Sequence, residues 1–193
     1  FDTITTNKDG YAETLEIPVG VYKIKEIQPP AGFILSDEVK TVTLTTEDKE
    51  TAVFELTNKA NEAKVRKLDS HTKQPLANAD IKVTDASGKV FFEGKTGADG
   101  YINMTELPAG KYTWQEVVAP EAYSIDPALY SFTIDTHGTV TGDVQFANDP
   151  ITLEITKMNT YTGAPMAGIT FTLQDSDGKA VKTKLTEDGY RIP

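Results

Sequence analysis

This sequence places a lysine on the apolar face of a predicted strand, where a charged side chain is unexpected. In ITLEITK (151–157), the alternation of side chains puts Ile151, Leu153 and Ile155 on one face, and Lys157 lies on the same face. A buried ammonium group costs several kcal/mol unless it is paired or neutralised. The pattern therefore predicts a partner for this lysine.

Two other polar residue types are directed inward in the same way. Strand-like alternation turns Lys67, Glu116 and Asn148 toward the apolar side of their segments, and it does the same for Glu26 and Asn58. Each residue alone is more simply interpreted as a snorkelling lysine, a solvated glutamate or a turn-forming asparagine. Because these residue types recur at inward-facing positions in more than one repeat, a shared buried site is favoured. A plain Lys–Glu salt bridge explains two of the three types and leaves the asparagine unexplained.

Buried lysine, glutamate and asparagine side chains can react with one another. Burial disfavours the charged ammonium and favours the neutral, nucleophilic amine. The amine of Lys67 can add to the side-chain carbonyl carbon of Asn148 while Glu116 hydrogen-bonds the amide oxygen and shuttles protons as ammonia leaves. The product is a Lys–Asn isopeptide bond that forms once, so the sequence predicts a single-turnover crosslink and not an enzyme.

The chain repeats itself with a shift of 90 residues. NKDGYAETLEIPVGVYKIKEIQPPAGF aligns with GADGYINMTELPAGKYTWQEVVAPEAY without a slip in register. The shift predicts the C-terminal part of a first repeat (1–60), a complete second repeat (62–149) and the N-terminal part of a third repeat (151–193). The predicted triads comprise Lys67, Glu116 and Asn148 in the middle repeat, Glu26 and Asn58 in the first, and Lys157 in the third.

Short strand-like segments separated by turn signals fill each repeat. The segments of the middle repeat are AKVRKLD, DIKVTDA, KVFFEG, KYTWQEVV, LYSFTID and DVQFAND. No stretch shows the 3.6-residue apolar period of a helix. Six or seven strands per repeat without βαβ alternation predict an all-β fold of tandem antiparallel β-sandwich domains. The joints KANE and DP are short, which predicts a stiff rod.

Composition argues against several functional classes. The 193 residues carry a net charge of -10, and nucleic-acid binding needs clustered Lys and Arg, so we expect no nucleic-acid partner. No apolar run approaches the roughly 20 residues of a transmembrane helix, and FDTITTNKDG lacks the features of a signal peptide, so we expect no membrane insertion in this segment. The absence of cysteine excludes disulfides and thiolate metal sites.

The chain resembles the Cna-B (collagen-adhesin B-type) domains of Gram-positive adhesins and pilin shafts. KLDSHTKQPLANADIKVTD is similar to their opening pattern K-x-D-x-x-T-x-x-P-L-x-x-A, and YTWQEVVAPEAY and YKIKEIQPPAGF are similar to their E-box, Y-x-x-x-E-x-x-x-P-x-G-Y/F. The resemblance implies a prealbumin-like (inverse immunoglobulin-like) sandwich on the cell wall or cell surface. It also implies an isopeptide bond between Lys67 and Asn148, with Glu116 as the catalytic acid. Ala122 stands where the family usually has glycine, so we expect a distorted turn there.

Three functions compete on this evidence. A structural stalk is favoured, with the adjacent repeats of the same chain as its partners. A ligand-binding adhesin module is the alternative, since a sandwich can bind a host matrix protein or a glycan on its loops or an exposed sheet. A glycosidase would need two carboxylates about 5–10 Å apart in a cleft, and the acidic residues form no recurring inward pair.

The remaining candidate sites are weak. His71 and His137 lie in polar, turn-like settings without the spacing of a metal pair, so we predict no metal site and no cofactor. DSDG (175–178) resembles the start of a calcium loop but lacks the glutamate of loop position 12, and we interpret it as a hairpin turn like DASG (85–88). LPAG (107–110) also predicts a turn.

Overall fold

The computed structural model describes residues 3–48, 51–181, 184–186 and 189–191. These residues form twelve β-strands and no helix, so the predicted all-β class is confirmed and no helix in this part of the chain could cross a membrane. The strands are β1 (Gly20–Lys25), β2 (Val39–Leu44), β3 (Glu62–Asp69), β4 (Asp80–Asp85), β5 (Val90–Lys95), β6 (Tyr101–Thr105), β7 (Gly110–Val118), β8 (Tyr130–Ile134), β9 (Val140–Gly142), β10 (Gln145–Asn148), β11 (Lys184–Thr186) and β12 (Gly189–Arg191).

Strands β3 to β10 build a two-sheet sandwich. One sheet has the order β10-β3-β6 and the other the order β5-β4-β7-β8-β9, while β1 pairs with β2 and β11 pairs with β12 in separate two-stranded sheets. The sandwich has eight strands, compared with the six or seven predicted. The sequence analysis missed β6 and β9.

One strand pair departs from the predicted antiparallel arrangement. β10 runs parallel to β3, with Phe146 opposite Lys67 and Asn148 opposite Asp69. The chain passes through the second sheet between these two strands, so the first and last strands of the unit return to each other in the same direction. This pair, which carries two of the candidate site residues, is the parallel exception in a sandwich whose other strand pairs are antiparallel.

Alternating side chains from both sheets form one core. β3 and β6 contribute Val65 and Ile102 on one side, and β4, β7 and β8 contribute Ile81, Trp114 and Phe132 on the other. All five are at most 3% exposed. Each side chain of this size stabilises the folded state by roughly 1.5–3 kcal/mol through burial. The two sheets are therefore held face to face around the site.

Two predicted strands are not formed. Residues 52–58 and 151–157 have no strand structure, and the apolar side chains Phe54, Leu56, Leu153 and Ile155 are between 37% and 53% exposed. The inward orientation predicted for these side chains is therefore wrong. The physical reason is that their counterparts in the middle repeat, β10 and β3, pair with each other. A strand without such a partner leaves its backbone groups and apolar face in water.

The joint between the first and middle repeats is hydrogen-bonded on both sides. Asn61 donates its backbone N–H to Gly32 O at 2.8 Å, and its backbone carbonyl accepts the N–H of Glu106 at 2.9 Å. Its side-chain amide donates to Leu107 O at 2.8 Å, and Asn61 is fully buried. The backbone of the joint is therefore fixed by residues of both repeats.

Three turns test expectations from the sequence. Asp85 and Asp175 each accept backbone N–H groups of their own turns, which confirms the interpretation of DASG and DSDG as hairpin turns. Ala122 keeps the turn seen at its counterpart Gly32, with φ of 68° compared with 90°. The expected distortion is absent, and the alanine instead adopts the left-handed conformation that glycine tolerates better.

Candidate functional site

The lysine of the middle repeat lies inside the sandwich. β3 alternates exposed and buried residues from Glu62 onward, which brings Lys67 to the buried face with 0% exposure. The neighbouring strand β10 places Phe146 opposite it, and Nζ of Lys67 lies 3.1 Å from the centroid of the Phe146 ring. The amine therefore ends over an aromatic surface and does not snorkel to solvent.

Glu116 reaches this amine from the opposite sheet. β7 buries alternate residues, and Glu116 is 3% exposed. Its Oε1 lies 3.3 Å from Nζ of Lys67, and its Oε2 accepts the backbone N–H of Asp126 at 2.9 Å. The carboxyl group is thus fixed between the lysine and the loop that follows β7.

Asn148 completes the cluster from β10. The residue is 1% exposed, Lys67 Nζ donates to its Oδ1, and its Nδ2 donates to Oε1 and Oε2 of Glu116 at 2.9 Å each. The structure therefore brings together the three residues that the sequence singled out. It differs from expectation in one detail, since Glu116 faces the amide nitrogen of Asn148 and not the amide oxygen.

The environment of Lys67 favours its neutral amine. Burial lowers the pKa of Lys67 from 10.5 to about 8, and the opposing attraction of the Glu116 carboxylate and the more distant Asp126 only partly offsets the burial. A lysine in this environment loses its proton far more readily than a lysine in water. Its nitrogen is then a nucleophile held against a carboxamide.

Aromatic side chains lie beside the amine of Lys67. The Phe146 ring lies 4.7 Å from Trp114 and 4.9 Å from Tyr130, measured between centroids. Such a wall excludes water and strengthens the electrostatic interactions inside it. The sequence showed that Phe146 and Trp114 point inward, but it gave no indication that they meet at the lysine.

A hydrogen bond that the sequence analysis missed links the strand of the lysine to the loop of the glutamate. The carboxylate of Asp69 accepts two backbone N–H groups of the turn after β3, at 2.7 and 2.8 Å, and also the hydroxyl of Tyr123 at 2.9 Å. Burial and this carboxylate raise the pKa of Tyr123 to about 12. Tyr123 begins the loop that leads to Asp126. No residue pattern could have revealed the Asp126 contact, because its donor is a backbone group.

A polar cleft opens beside the cluster. Its lining includes Ser124, Asp126 and Ala147 together with Asn148 itself. The cleft therefore lies against Asn148, whose side chain accepts the hydrogen bond of Lys67.

The partial triads remain separate in the structure. In the first repeat, Nδ2 of Asn58 donates to both carboxylate oxygens of Glu26, at 2.9 and 2.8 Å. The backbone N–H of Ser36 donates to Oε2 of Glu26 at 2.7 Å, as Asp126 does for Glu116. Lys157 is exposed and makes no ion pair with any described residue.

Other polar groups form no comparable cluster. His137 Nε2 lies 3.8 Å from a carboxylate oxygen of Asp37, and both side chains are at least half exposed. Within the described ranges, no group of three or more histidine or acidic side chains is arranged to hold a metal ion.

Fold and sequence together define the chain as a tandem prealbumin-like β-sandwich protein. The family model of the SpaA prealbumin-like fold domain matches residues 1–60 and 61–149, and the chain belongs to this family. The predicted resemblance to Cna-B-like repeats of pilins and adhesins is confirmed.

Individual relatives include a surface protein and a collagen adhesin of Gram-positive bacteria. The trypsin-resistant surface T6 protein of Streptococcus pyogenes is 38% identical over 68 residues, which are 35% of this chain and 13% of that protein. The collagen adhesin of Staphylococcus aureus is 36% identical over 80 residues, which are 38% of this chain and 7% of that protein. The solved TIE protein of Bacillus anthracis is 32% identical, with a TM-score of 0.50 over 97% of this chain and 36% of its own. The chain thus spans at most about a third of these relatives.

Proposed function

We propose that this chain is a stalk segment of a Gram-positive cell-surface protein, stiffened by a self-formed isopeptide bond between Lys67 and Asn148. The observation that carries the proposal is the buried contact of Lys67 with Asn148, with Glu116 against both. The protein is extracellular on this proposal, its partners are the adjacent repeats, and its chemistry does not turn over.

The distances support a proton shuttle through Glu116. Its Oε1 lies 3.3 Å from the lysine nitrogen and 2.9 Å from the amide nitrogen of Asn148, so one carboxylate oxygen is close to both. Glu116 accepts a proton from the Lys67 ammonium, and the neutral amine adds to Cγ of Asn148. Glu116 then returns that proton to Nδ2 as the Cγ–Nδ2 bond breaks, and the second proton that Nζ loses on becoming an amide passes through Glu116 to the departing ammonia. A new Nζ–Cγ amide bond and one ammonium ion are the products.

The bond would act on unfolding and on mechanical load. Lys67 and Asn148 are 81 positions apart, in the first and last strands of the sandwich. By analogy with a disulfide, closing a loop of this length stabilises the folded state by roughly 4–5 kcal/mol. Tension entering at β3 and leaving at β10 passes through the bond, so the strands between them carry no load.

Intact-protein mass spectrometry tests the chemistry. The wild-type chain should be lighter than its sequence by one ammonia, and Glu116→Ala should retain that ammonia because the proton shuttle is missing while both linked residues remain. Glu93→Ala is the matched control, because Glu93 is an exposed strand residue. If Glu116→Ala crosslinks at the wild-type rate, the proposed role of Glu116 is wrong.

Thermal unfolding and single-molecule pulling test the consequence of the bond. Lys67→Ala should melt at a lower temperature than the wild type and should extend under force, because nothing then joins β3 covalently to β10. Lys111→Ala removes an exposed strand lysine and should leave both properties unchanged. Equal melting and equal inextensibility in the two variants would contradict the stalk proposal.

Collagen binding is the second candidate function. The observation that favours it is the 36% identity over 80 residues to a protein named collagen adhesin. Surface plasmon resonance on immobilised collagen tests it directly. Saturable binding at micromolar concentrations would support an adhesin module, and its absence would leave the stalk as the better description.

A further inference from the structure

Two aspartate–proline bonds occur in the chain, and one of them lies at the joint between the middle and third repeats. They are Asp126–Pro127, in the loop after β7, and Asp149–Pro150, directly after β10. A proline has no backbone N–H, so its nitrogen cannot attack the preceding aspartate side chain to close a succinimide ring. The ring closure that remains is attack of the aspartate carboxylate on its own backbone carbonyl carbon, which breaks the bond to proline. The surroundings of each bond decide whether that attack is favoured.

The backbone carbonyl of Asp149 accepts two hydrogen bonds from one residue. Ser124 donates both its backbone N–H and its side-chain hydroxyl to this oxygen, each at 3.0 Å. On the other side of Pro150, Ile151 donates its backbone N–H to Ala122 O at 2.8 Å. Fixed donors on a carbonyl oxygen stabilise the negative charge that develops there when a nucleophile adds to the carbon. The fold therefore supplies an oxyanion hole at the Asp149–Pro150 bond.

The carboxylate of Asp149 is free to act as the nucleophile. Its Oδ1 accepts the hydroxyl of Ser70, and among the described residues none donates a hydrogen bond to Oδ2. The carboxylate and the carbonyl belong to the same residue, so the attack is intramolecular and needs no second reactant to be brought into place. Asp149 and Ser124 are both exposed, and both line the polar cleft beside β10. Water therefore reaches the bond.

The other aspartate–proline bond has the opposite arrangement. Oδ1 of Asp126 accepts the backbone N–H of Ala128 at 2.9 Å, and its Oδ2 accepts the hydroxyl of Tyr130 at 2.6 Å. Within the part of the chain that the structure describes, no group donates a hydrogen bond to the backbone carbonyl of Asp126. Both carboxylate oxygens are thus engaged, and the carbonyl has no donor that would stabilise added charge.

The joint between the first and middle repeats has the same backbone contact without the reactive groups. The 90-residue shift maps Asp149, Pro150 and Ser124 onto Lys59, Ala60 and Ile34. Ile34 donates its backbone N–H to Lys59 O at 2.8 Å, as Ser124 does to Asp149 O. The shared contact is therefore structural, whereas the carboxylate, the proline and the second donor occur together only at the joint after the middle repeat.

We propose that Asp149–Pro150 is an acid-promoted self-cleavage site between the middle and third repeats. A carboxylate oxygen of Asp149 adds to the backbone carbonyl carbon of the same residue, and Ser124 stabilises the oxyanion. The C–N bond then breaks as the Pro150 nitrogen takes a proton from solvent, which leaves a cyclic anhydride at Asp149. One water molecule opens the anhydride to two carboxyl groups. The reaction uses no group of the Lys67–Asn148 site and goes beyond the proposed crosslink.

Incubation of the full chain at about pH 4, followed by peptide mapping with mass spectrometry, tests the proposal. At this pH acid supplies the proton for the leaving nitrogen, while an aspartate carboxyl is still partly ionised. In guanidinium chloride the chain is unfolded, so both aspartate–proline bonds should break at similar rates, and these rates set the incubation time. In the folded chain, with folding checked by Trp114 fluorescence, the ratio of cleavage at 149–150 to cleavage at 126–127 should be about tenfold higher.

Substitutions at the joint separate the reaction from ordinary acid hydrolysis. Ser124→Ala removes the hydroxyl donor and should lower the ratio severalfold in the folded chain, whereas Ser176→Ala, at an exposed turn position, should not. Pro150→Ala restores a secondary amide and should abolish cleavage at this joint. An equal ratio in the folded and unfolded chains, or a Ser124→Ala variant that cleaves like the wild type, would overturn the proposal. The mass of the same samples reports the Lys67–Asn148 bond separately, because cleavage adds water and crosslinking removes ammonia.

Discussion

Lys67 differs from an ordinary strand lysine in what surrounds its nitrogen. A carboxylate oxygen lies at 3.3 Å, an aromatic ring lies below it, and the carboxamide of Asn148 accepts its hydrogen bond. The ion pair alone would keep the amine charged, whereas burial lowers its pKa to about 8. The balance between these effects decides how the reaction responds to pH.

The rate of bond formation should fall above pH 8. In the proposed shuttle one proton stays on the Lys67–Glu116 pair, lying on Nζ in the ion pair and on the carboxyl group when the amine attacks. Above the pKa of about 8 the pair loses that proton, and the leaving nitrogen has no acid. We expect a decrease of about tenfold between pH 7 and pH 9, which is the change in the protonated fraction of a group with this pKa.

The measurement starts from the chain isolated in the unfolded state in urea. The chain is then diluted into buffers of different pH, where it folds. Mass spectrometry follows the loss of ammonia, and fluorescence of Trp114, the single tryptophan, reports folding separately. Glu116→Ala shows how folding alone depends on pH. A rate that rises between pH 7 and pH 9 would mean that the free amine attacks without an acid, against the shuttle.

Among the structural elements, the turn after β7 holds Ala122 in a backbone conformation that a residue with a side chain disfavours. Ala122 adopts φ of 68°, where an L-residue with a side chain is strained by roughly 1–2 kcal/mol and glycine is not. The surrounding contacts hold it there, since Ile151 donates its backbone N–H to Ala122 O at 2.8 Å. The turn thus keeps the conformation required by the joint although the residue disfavours it.

Ala122→Gly should therefore stabilise the domain. The relief of backbone strain exceeds the extra entropy that glycine brings to the unfolded chain, so we expect a gain of about 0.5–1 kcal/mol in the free energy of unfolding. Urea unfolding in the Glu116→Ala background measures it without the covalent bond. Ala128→Gly, at an exposed loop position without a positive φ, should be neutral or destabilising. A loss of stability in Ala122→Gly would show that the turn is not strained.

At the scale of the whole molecule, the joint depends on a close approach of two repeats. A Cβ on Gly32 would lie 2.4 Å from the backbone oxygen of Glu106, and Gly32 also requires a φ of 90°. Gly138 approaches the Ile34 side chain of the first repeat in a similar way. The absence of side chains at these positions allows the backbones of the repeats to meet.

Gly32→Ala should open this joint, and Gly10→Ala should not. Both substitutions strain a residue of positive φ, but a Cβ on Gly10 meets nothing within 4 Å. Hydrogen exchange of the backbone amides of Asn61 and Glu106, which bond across the joint, should become faster only in Gly32→Ala. Unchanged protection of both amides in that variant would mean that the joint adapts, and the stiff rod predicted from the short linkers would lose its support.

Features that depend on neighbouring residues or on repetition could be predicted from the amino-acid sequence. The 90-residue shift, the inward phase of Lys67, Glu116 and Asn148, and the turns at DASG and DSDG could all be read from local order, because side-chain direction in a strand follows the residue count. The family resemblance added the expected bond partners. These signals were enough to single out the three residues that the structure brings together in one buried cluster.

How those residues meet depends on packing between distant segments. Contacts between segments about 30 to 80 residues apart produce the parallel pairing of β10 with β3, the orientation of Glu116 toward the amide nitrogen and the position of the Phe146 ring under the amine. Residues 52–58 and 151–157 show that a strand-like sequence pattern is not sufficient to form a strand. Their pattern is that of strands, yet they form none, because a strand requires the hydrogen bonds and the apolar surface of a partner that local sequence cannot supply.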